Sequence, residues 1–134
     1  MKTSLLTVAL ISTAITLTFA QLPAAYAGTL SLPAYSADSF QLAEAKGSFV
    51  LVATKPGCPV CSKQIPVIES TLQLPEFANL TVLQYNQVTE KALNKRFGVT
   101  GQSTIIVYRD GVEVSRTRGL TEADAIKTEL MKAL

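Results

Sequence analysis

The 134-residue chain contains no histidine and no tryptophan, and it has only two cysteines. The absence of histidine excludes Ser-His or Cys-His catalysis by this chain and any metal site built on its own imidazoles. Only 16% of the residues are charged, and 12 basic residues nearly balance 10 acidic ones. Because the basic residues are scattered along the sequence, neither nucleic acid nor an anionic membrane surface is indicated as a partner.

The first 27 residues have the layout of a cleavable secretory signal. Lys2 gives a positive start, residues 5–20 carry no charge, and Ala25-Tyr26-Ala27 presents small residues where a signal peptidase reads them. An uncleaved anchor is the alternative, but the apolar run is short for a membrane span, which needs about 20 residues. We expect cleavage after Ala27, which leaves residues 28–134 as one domain in the periplasm or another exported location, without stable membrane insertion.

The hydrophobic pattern of the remaining chain alternates between helices and strands. Helices are predicted over residues 36–46, 59–72, 89–97 and from 121 onward, and strands over residues 49–53, 80–85, 104–108 and 112–115. A short first strand is also predicted near residues 29–32. This order predicts an α/β domain with a central mixed β-sheet flanked by helices on both faces.

Short sequence signals predict where these elements begin, turn and end. Gly47 is placed as the left-handed stop of the first helix, and Asp110-Gly111 is typical of a two-residue hairpin turn. Thr121-x-x-Asp124 has the spacing of a capping box, so the last helix is expected to begin there. Pro66 lies inside the second helix, where a proline removes a backbone hydrogen bond and is expected to kink the helix.

Both cysteines belong to one motif, Cys58-Pro59-Val60-Cys61, directly after a predicted central strand. Pro59 suits the first turn of a helix, because its missing N–H leaves no bond unmade there. Cys58 is therefore expected at the helix N-terminus, where free N–H groups and the helix dipole stabilise a thiolate. Cys61 falls one turn later on the apolar face. Cys58 is thus predicted to be exposed and nucleophilic, and Cys61 to be shielded and positioned to resolve a mixed disulfide.

The same two cysteines are also compatible with a metal site or a structural disulfide. A structural zinc or an iron–sulfur cluster needs four ligands, mostly cysteine and histidine, so two chains would have to share it, whereas copper(I) accepts two thiolates. A disulfide across so short a loop stabilises a fold by only ~2 kcal/mol in the chain-entropy model. A redox couple is the favoured interpretation, and a copper or shared-cluster carrier is the alternative.

With these elements in place, the chain resembles the thioredoxin superfamily over residues 29–134. The segment "FVLVATKPGCPVC" is similar to the family's central strand and active-site cysteines, and Pro66 to its helix-kinking proline. The segment "RFGVTGQSTIIVYRDGVEV", residues 96–114, is similar to the part that leads into the family's final hairpin. The resemblance implies a thioredoxin fold and a monomeric thiol–disulfide oxidoreductase without a cofactor. It would act on protein thiols and disulfides, either as an oxidant, which the helix terminus favours, or as a reductant. In the periplasm a reductive role would need electrons from a membrane thiol carrier.

The resemblance also implies roles for individual residues. Cys58 would be the attacking thiol and Cys61 the resolving thiol, with Pro59 and Val60 tuning the couple. A further segment would face the cysteines and pair with an extended substrate. That segment consists of Gly101, Gln102 and Ser103.

Three positions depart from the family pattern. Ser103 stands where the family has a cis-proline, and a trans peptide is expected at Gln102–Ser103 because a non-proline cis bond costs ~3–4 kcal/mol. Without the proline ring, the sulfurs are no longer shielded from metal. The Ser103 hydroxyl is expected either to contact a sulfur or to hydrogen-bond local backbone. Pro56-Gly57 replaces the usual tryptophan. Val52 replaces a buried acid that accepts a proton, so deprotonation of Cys61 would be slower or would use water.

Overall fold

A computed structural model describes residues 31–134, and the predicted signal at residues 1–27 lies outside the described residues. The elements in chain order are α1 (Ala37–Lys46), β1 (Phe49–Thr54), α2 (Pro59–Thr71), β2 (Thr81–Asn86), α3 (Lys91–Phe97), β3 (Thr104–Arg109), β4 (Val112–Arg118) and α4 (Ala123–Met131). A short 3₁₀ turn at Pro75–Phe77 precedes β2. No helix within residues 31–134 is long and apolar enough to cross a membrane.

The four strands form one mixed sheet in the order β2-β1-β3-β4. β1 pairs in parallel with β2 and antiparallel with β3, and β3 and β4 form an antiparallel hairpin. β1 is therefore a central strand, and its residues Phe49 to Ala53 are all buried. A strand covered on both faces needs a continuous apolar sequence, which is the pattern that the sequence shows here.

Two hydrophobic clusters lie on opposite faces of the sheet. Val50 and Val52 of β1 belong to the cluster under α2 and α4, whereas Phe49 and Leu51 belong to the cluster under α1 and α3. Successive residues of a strand point to opposite faces, so this alternation places helices on both sides of β1. The predicted mixed sheet with helices on both faces is confirmed.

Local sequence signals set several of the element boundaries. Ser36 is the N-cap of α1 in a capping box with Ser39, and α1 ends at Gly47, which has a φ of 81°. Asp110 and Gly111 both have positive φ, 52° and 77°. Positive φ at both central residues is what a type I′ hairpin turn requires, so the predicted turn is confirmed. Pro66 lies inside α2 as predicted.

Two predicted boundaries are wrong. The expected capping box at residues 121–124 does not form, because α4 begins at Ala123 with Glu122 as an N-cap that makes no side-chain bond. The carbonyl of Leu120 instead bonds the side chain of Gln64 on α2, which ties the preceding segment to another helix. The predicted first strand is reduced to an isolated parallel bridge between Ala34 and Gln84, and residues 29 and 30 lie outside the described part.

Ile68 offers a test of the core between α2 and the sheet. Its side chain has no exposed surface, so Ile68→Ala removes buried carbon atoms and leaves a cavity. We expect the free energy of unfolding to fall by about 2–5 kcal/mol in urea denaturation. Leu42→Ala at a 68% exposed position of α1 is the control and should change it by less than ~0.5 kcal/mol. Equal losses in both variants would contradict this core.

Candidate active site

The two cysteines lie at the N-terminus of α2, where the chain leaves the central strand. Cys58 is the N-cap of α2, and its sulfur accepts a hydrogen bond from the backbone N–H of Cys61 at 3.2 Å. Pro59 is the first helical residue, as predicted. The Cys58 sulfur therefore faces free N–H groups and the positive end of the helix dipole, an environment that favours a thiolate.

Both cysteines are free thiols, and both are buried, with 5% of each residue exposed. The prediction that Cys61 is shielded is confirmed, but the prediction that Cys58 is exposed is wrong. Cys58 is covered because its sulfur turns inward, where it caps α2 and contacts Ser103. An electrophile therefore has to reach a recessed sulfur.

The Ser103 hydroxyl lies between the two sulfurs. Its Oγ is 3.1 Å from Cys61 Sγ and 3.4 Å from Cys58 Sγ. Of the two expectations for this hydroxyl, contact with the sulfurs is therefore confirmed. Residues 31–134 contain no cis peptide bond, so the expected trans peptide at Gln102–Ser103 is confirmed as well. Ser103 has a φ of 59°, a left-handed conformation that costs a non-glycine residue about 1–2 kcal/mol.

Hydrogen bonds to the Cys58 sulfur determine its protonation. Burial by itself raises the pKa of this thiol, because a poorly solvated site disfavours the charged form. The side chains of Cys61 and Ser103 and the backbone N–H groups of Cys61 and Val60 outweigh burial and lower the pKa of Cys58 from 9.0 to about 7. Cys58 therefore loses its proton more readily near neutral pH than an ordinary thiol does.

The segment implied to face the substrate lies beside the cysteines through Ser103. Gly101 and Ser103 are buried and Gln102 is half-buried, but of these three residues only Ser103 hydrogen-bonds a sulfur. The guanidinium of Arg118 lies directly over Gly101. Because Arg118 is exposed and the contact is made by the end of its flexible side chain, a larger residue at position 101 would only shift the guanidinium. The contact puts a positive charge next to the segment.

Gln64 is a residue of the site that the sequence analysis missed. The apolar spacing predicts one buried face of α2, made of Cys61, Ile65, Ile68 and Leu72. Cys61 and Ile68 are buried and the other two are half-buried, but the polar Gln64 is fully buried as well. Its Nε2 donates to the carbonyls of Ser103 at 3.3 Å and Leu120 at 2.9 Å. A polar residue three positions after the second cysteine, on the same helix face, is the signal that could have revealed it.

Among the remaining predicted positions, Val60 hydrogen-bonds the Cys58 sulfur through its backbone N–H. Pro59 and Val60 are exposed on the first turn of α2, and Val52 is fully buried, so the site of the family's acid is apolar. An open groove of about 450 Å³ passes along the motif, and Cys61 and Asn86 are among its lining residues. No group of three or more metal-ligating side chains occurs in the described part of the chain, so the structure lends no support to the metal alternative.

Comparisons with known proteins agree with this geometry. The thioredoxin family model matches residues 34–132. A thioredoxin of Chlamydia muridarum is 29% identical over 91 residues, which are 68% of this chain and 87% of the relative. The crystal structure of Trxlp from Edwardsiella tarda has a TM-score of 0.71 and 35% identity, covering 75% of this chain and 98% of that one. A mutant thioredoxin from Halobacterium salinarum has a TM-score of 0.65 at 22% identity, covering 79% and 96%, and shares the fold.

A mixed sheet with a dithiol at the start of the helix after its central strand defines the thioredoxin fold, and the predicted fold class is confirmed. Because the family match extends over most of the chain, the resemblance becomes a statement of membership: this chain belongs to the thioredoxin family. It is a thioredoxin-like redox protein with two neighbouring thiols.

Ser103→Ala tests the hydroxyl as a donor to the sulfur. Because the thiolate loses a hydrogen bond, we expect the pKa of Cys58 to rise by about one unit. The measurement is the pH dependence of iodoacetamide labelling of the reduced protein, with the labelled cysteine identified by mass spectrometry. Ser62→Ala is the control, since its hydroxyl bonds the carbonyl of Cys58 and not the sulfur. An identical pH profile for Ser103→Ala and the unmodified protein would exclude this role.

Proposed function

We propose that the protein is an exported, monomeric thiol–disulfide oxidoreductase that exchanges disulfides with protein substrates through the Cys58–Cys61 couple. The observation that carries the proposal is the set of donors at the Cys58 sulfur, which hold its pKa near 7. A thiolate present at neutral pH is the nucleophile that disulfide exchange requires. Membership in the thioredoxin family, whose members in general carry out this chemistry, supports the same reaction.

The proposed exchange has two steps. The Cys58 thiolate attacks one sulfur of a substrate disulfide, forming a Cys58–substrate disulfide and releasing the other substrate sulfur as a thiolate. Cys61 loses its proton and attacks Cys58 Sγ, which forms the Cys58–Cys61 disulfide and releases the second substrate thiolate. The substrate gains two electrons and the couple loses two, while the released thiolates take up protons. Cys61 lies one turn of α2 from Cys58, so the second step is intramolecular.

Water is the proposed acceptor for the Cys61 proton. The position where the resemblance implies a buried acid is Val52, which is apolar and has no exposed surface. The Cys61 sulfur contacts the Ser103 hydroxyl, and Cys61 also lines the open groove along the motif. Water in this groove has access to Cys61, so a bulky substitution in the groove should slow the second step.

The direction that we propose is reduction of substrate disulfides. A lower pKa of the attacking thiol stabilises the dithiol form and makes a couple more oxidising. The pKa of Cys58 is lowered to about 7, which is in the range of thioredoxin, roughly 7, and not of the strong periplasmic oxidants, roughly 3.5. Since an exported location is oxidising, a reductive role needs a supply of electrons. The proposed partners are therefore protein disulfides and a membrane thiol carrier.

Variants of the two cysteines test the reaction. The reduced protein should reduce insulin, and Cys58→Ser should lose this activity because the nucleophile is absent. Cys61→Ser should instead accumulate a mixed disulfide with the substrate, visible on a non-reducing gel, because no thiol resolves it. Ser62→Ala provides a matched control with both cysteines intact. Wild-type insulin reduction by Cys58→Ser would contradict the proposal.

The export proposal rests on residues 1–27 and has its own test. When the full chain is expressed in a Gram-negative host, the protein released from the periplasm should begin at Gly28, as measured by intact mass and N-terminal sequencing. Ala27→Phe should block cleavage, because a signal peptidase needs a small residue there. Recovery of a chain that begins at Met1 from the cytoplasm would contradict export.

A further inference from the structure

The side chain of Gln64 joins three segments around the dithiol. It lies on α2 one turn after Cys61 and has no exposed surface. Its Nε2 donates to the carbonyl of Ser103 before β3 and to the carbonyl of Leu120 after β4. Two carbonyl acceptors need two N–H donors, so these bonds determine which end of the amide faces them.

The conformation of Ser103 depends on bonds to its carbonyl. Its φ of 59° is uncommon for a residue with a side chain. The carbonyl accepts from Gln64 Nε2 at 3.3 Å and from the backbone N–H of Gly119 at 2.9 Å. These two bonds hold the peptide after Ser103 between α2 and the end of β4. They therefore limit how far Ser103, which carries the hydroxyl, can move.

The oxygen of the Gln64 amide has no comparable role. Its Oε1 is buried and has no hydrogen-bond partner among the described residues. An unpaired buried carbonyl destabilises a fold, and an apolar side chain of similar length would avoid that cost. What the amide contributes is therefore its two donated bonds, and one of them is made to the residue that contacts both sulfurs.

We propose that Gln64 is a positioning residue of the redox site, whose amide holds the Ser103 carbonyl and so keeps the Ser103 hydroxyl between the sulfurs of Cys58 and Cys61. Within the described chain Gln64 makes no hydrogen bond to either sulfur, so it acts through Ser103. The inference deepens the proposed function and rests on it for its relevance to catalysis. The chain of contacts from Gln64 to the thiols stands on the geometry alone.

Gln64→Met tests this chain of contacts, because methionine nearly preserves the volume while removing both donors. With Ser103 less well held, the Cys58 thiolate should lose part of its hydrogen bonding. We expect labelling of Cys58 by iodoacetamide at about pH 6 to fall several-fold, with the pH profile displaced toward higher pH. In Ser103→Ala the Gln64→Met change should have no further effect on the profile, because the hydroxyl that Gln64 positions is already absent.

Thr71→Val is the matched control for a merely structural effect. Thr71 is buried on the same face of α2, and its hydroxyl donates to the Val67 carbonyl, away from the thiols. This variant should lower the melting temperature without moving the labelling profile. Gln64→Leu serves as the second variant if Gln64→Met does not fold.

Two results would overturn the inference. One is an unchanged pH profile in a folded Gln64 variant, and the other is a full additional displacement of the profile when Gln64→Met is combined with Ser103→Ala. Labelling needs no protein substrate, so it separates this inference from the proposed function. A protein that labels as expected but fails to reduce insulin would contradict the proposed function, while the labelling profiles alone decide the role of Gln64.

Discussion

The hydrogen bonding of one sulfur, that of Cys58, is the constraint on which the chemistry of this protein depends. The sulfur caps α2 by accepting from the Cys61 N–H, and it also contacts the Ser103 hydroxyl. Burial alone would keep the thiol protonated, and the donors reverse that effect. The fold supplies both the burial and the donors. The chain leaves the central strand β1 and α2 begins at Pro59, so the Cys58 sulfur lies at the helix N-terminus.

The hydroxyl that contacts the two sulfurs comes from the loop before β3 and not from the sheet beneath the site. Val52 makes the sheet side apolar, whereas Ser103 brings a hydroxyl to both sulfurs from the loop. Gln64 and Gly119 donate hydrogen bonds to the carbonyl of Ser103, the residue of this loop that has a left-handed backbone conformation. The serine at the position of the family's proline thus adds a polar contact at the dithiol, and its peptide bond to Gln102 is trans.

The parts of the structure that the sequence predicts well are those set by neighbouring residues. Gly47 ends α1, Asp110-Gly111 makes the hairpin turn, and the apolar run of β1 marks a strand covered on both faces. The parts that it predicts poorly depend on residues far apart in the chain. The burial of Cys58 reflects a contact across 45 positions, and the start of α4 follows a bond across 56 positions between Gln64 and the loop between β4 and α4. The spacing of apolar residues does not reveal that Gln64 is buried, because Gln64 is polar and its hydrogen-bond partners lie on other segments.

The central claim is that these hydrogen bonds produce a moderately stabilised thiolate and a reducing couple. The most direct test is the reduction potential of the Cys58–Cys61 pair, measured by equilibration with glutathione. With a pKa of Cys58 of about 7, the account predicts a potential close to that of thioredoxin, about −270 mV. A potential near −120 mV, the value of a strong periplasmic oxidant, would contradict it.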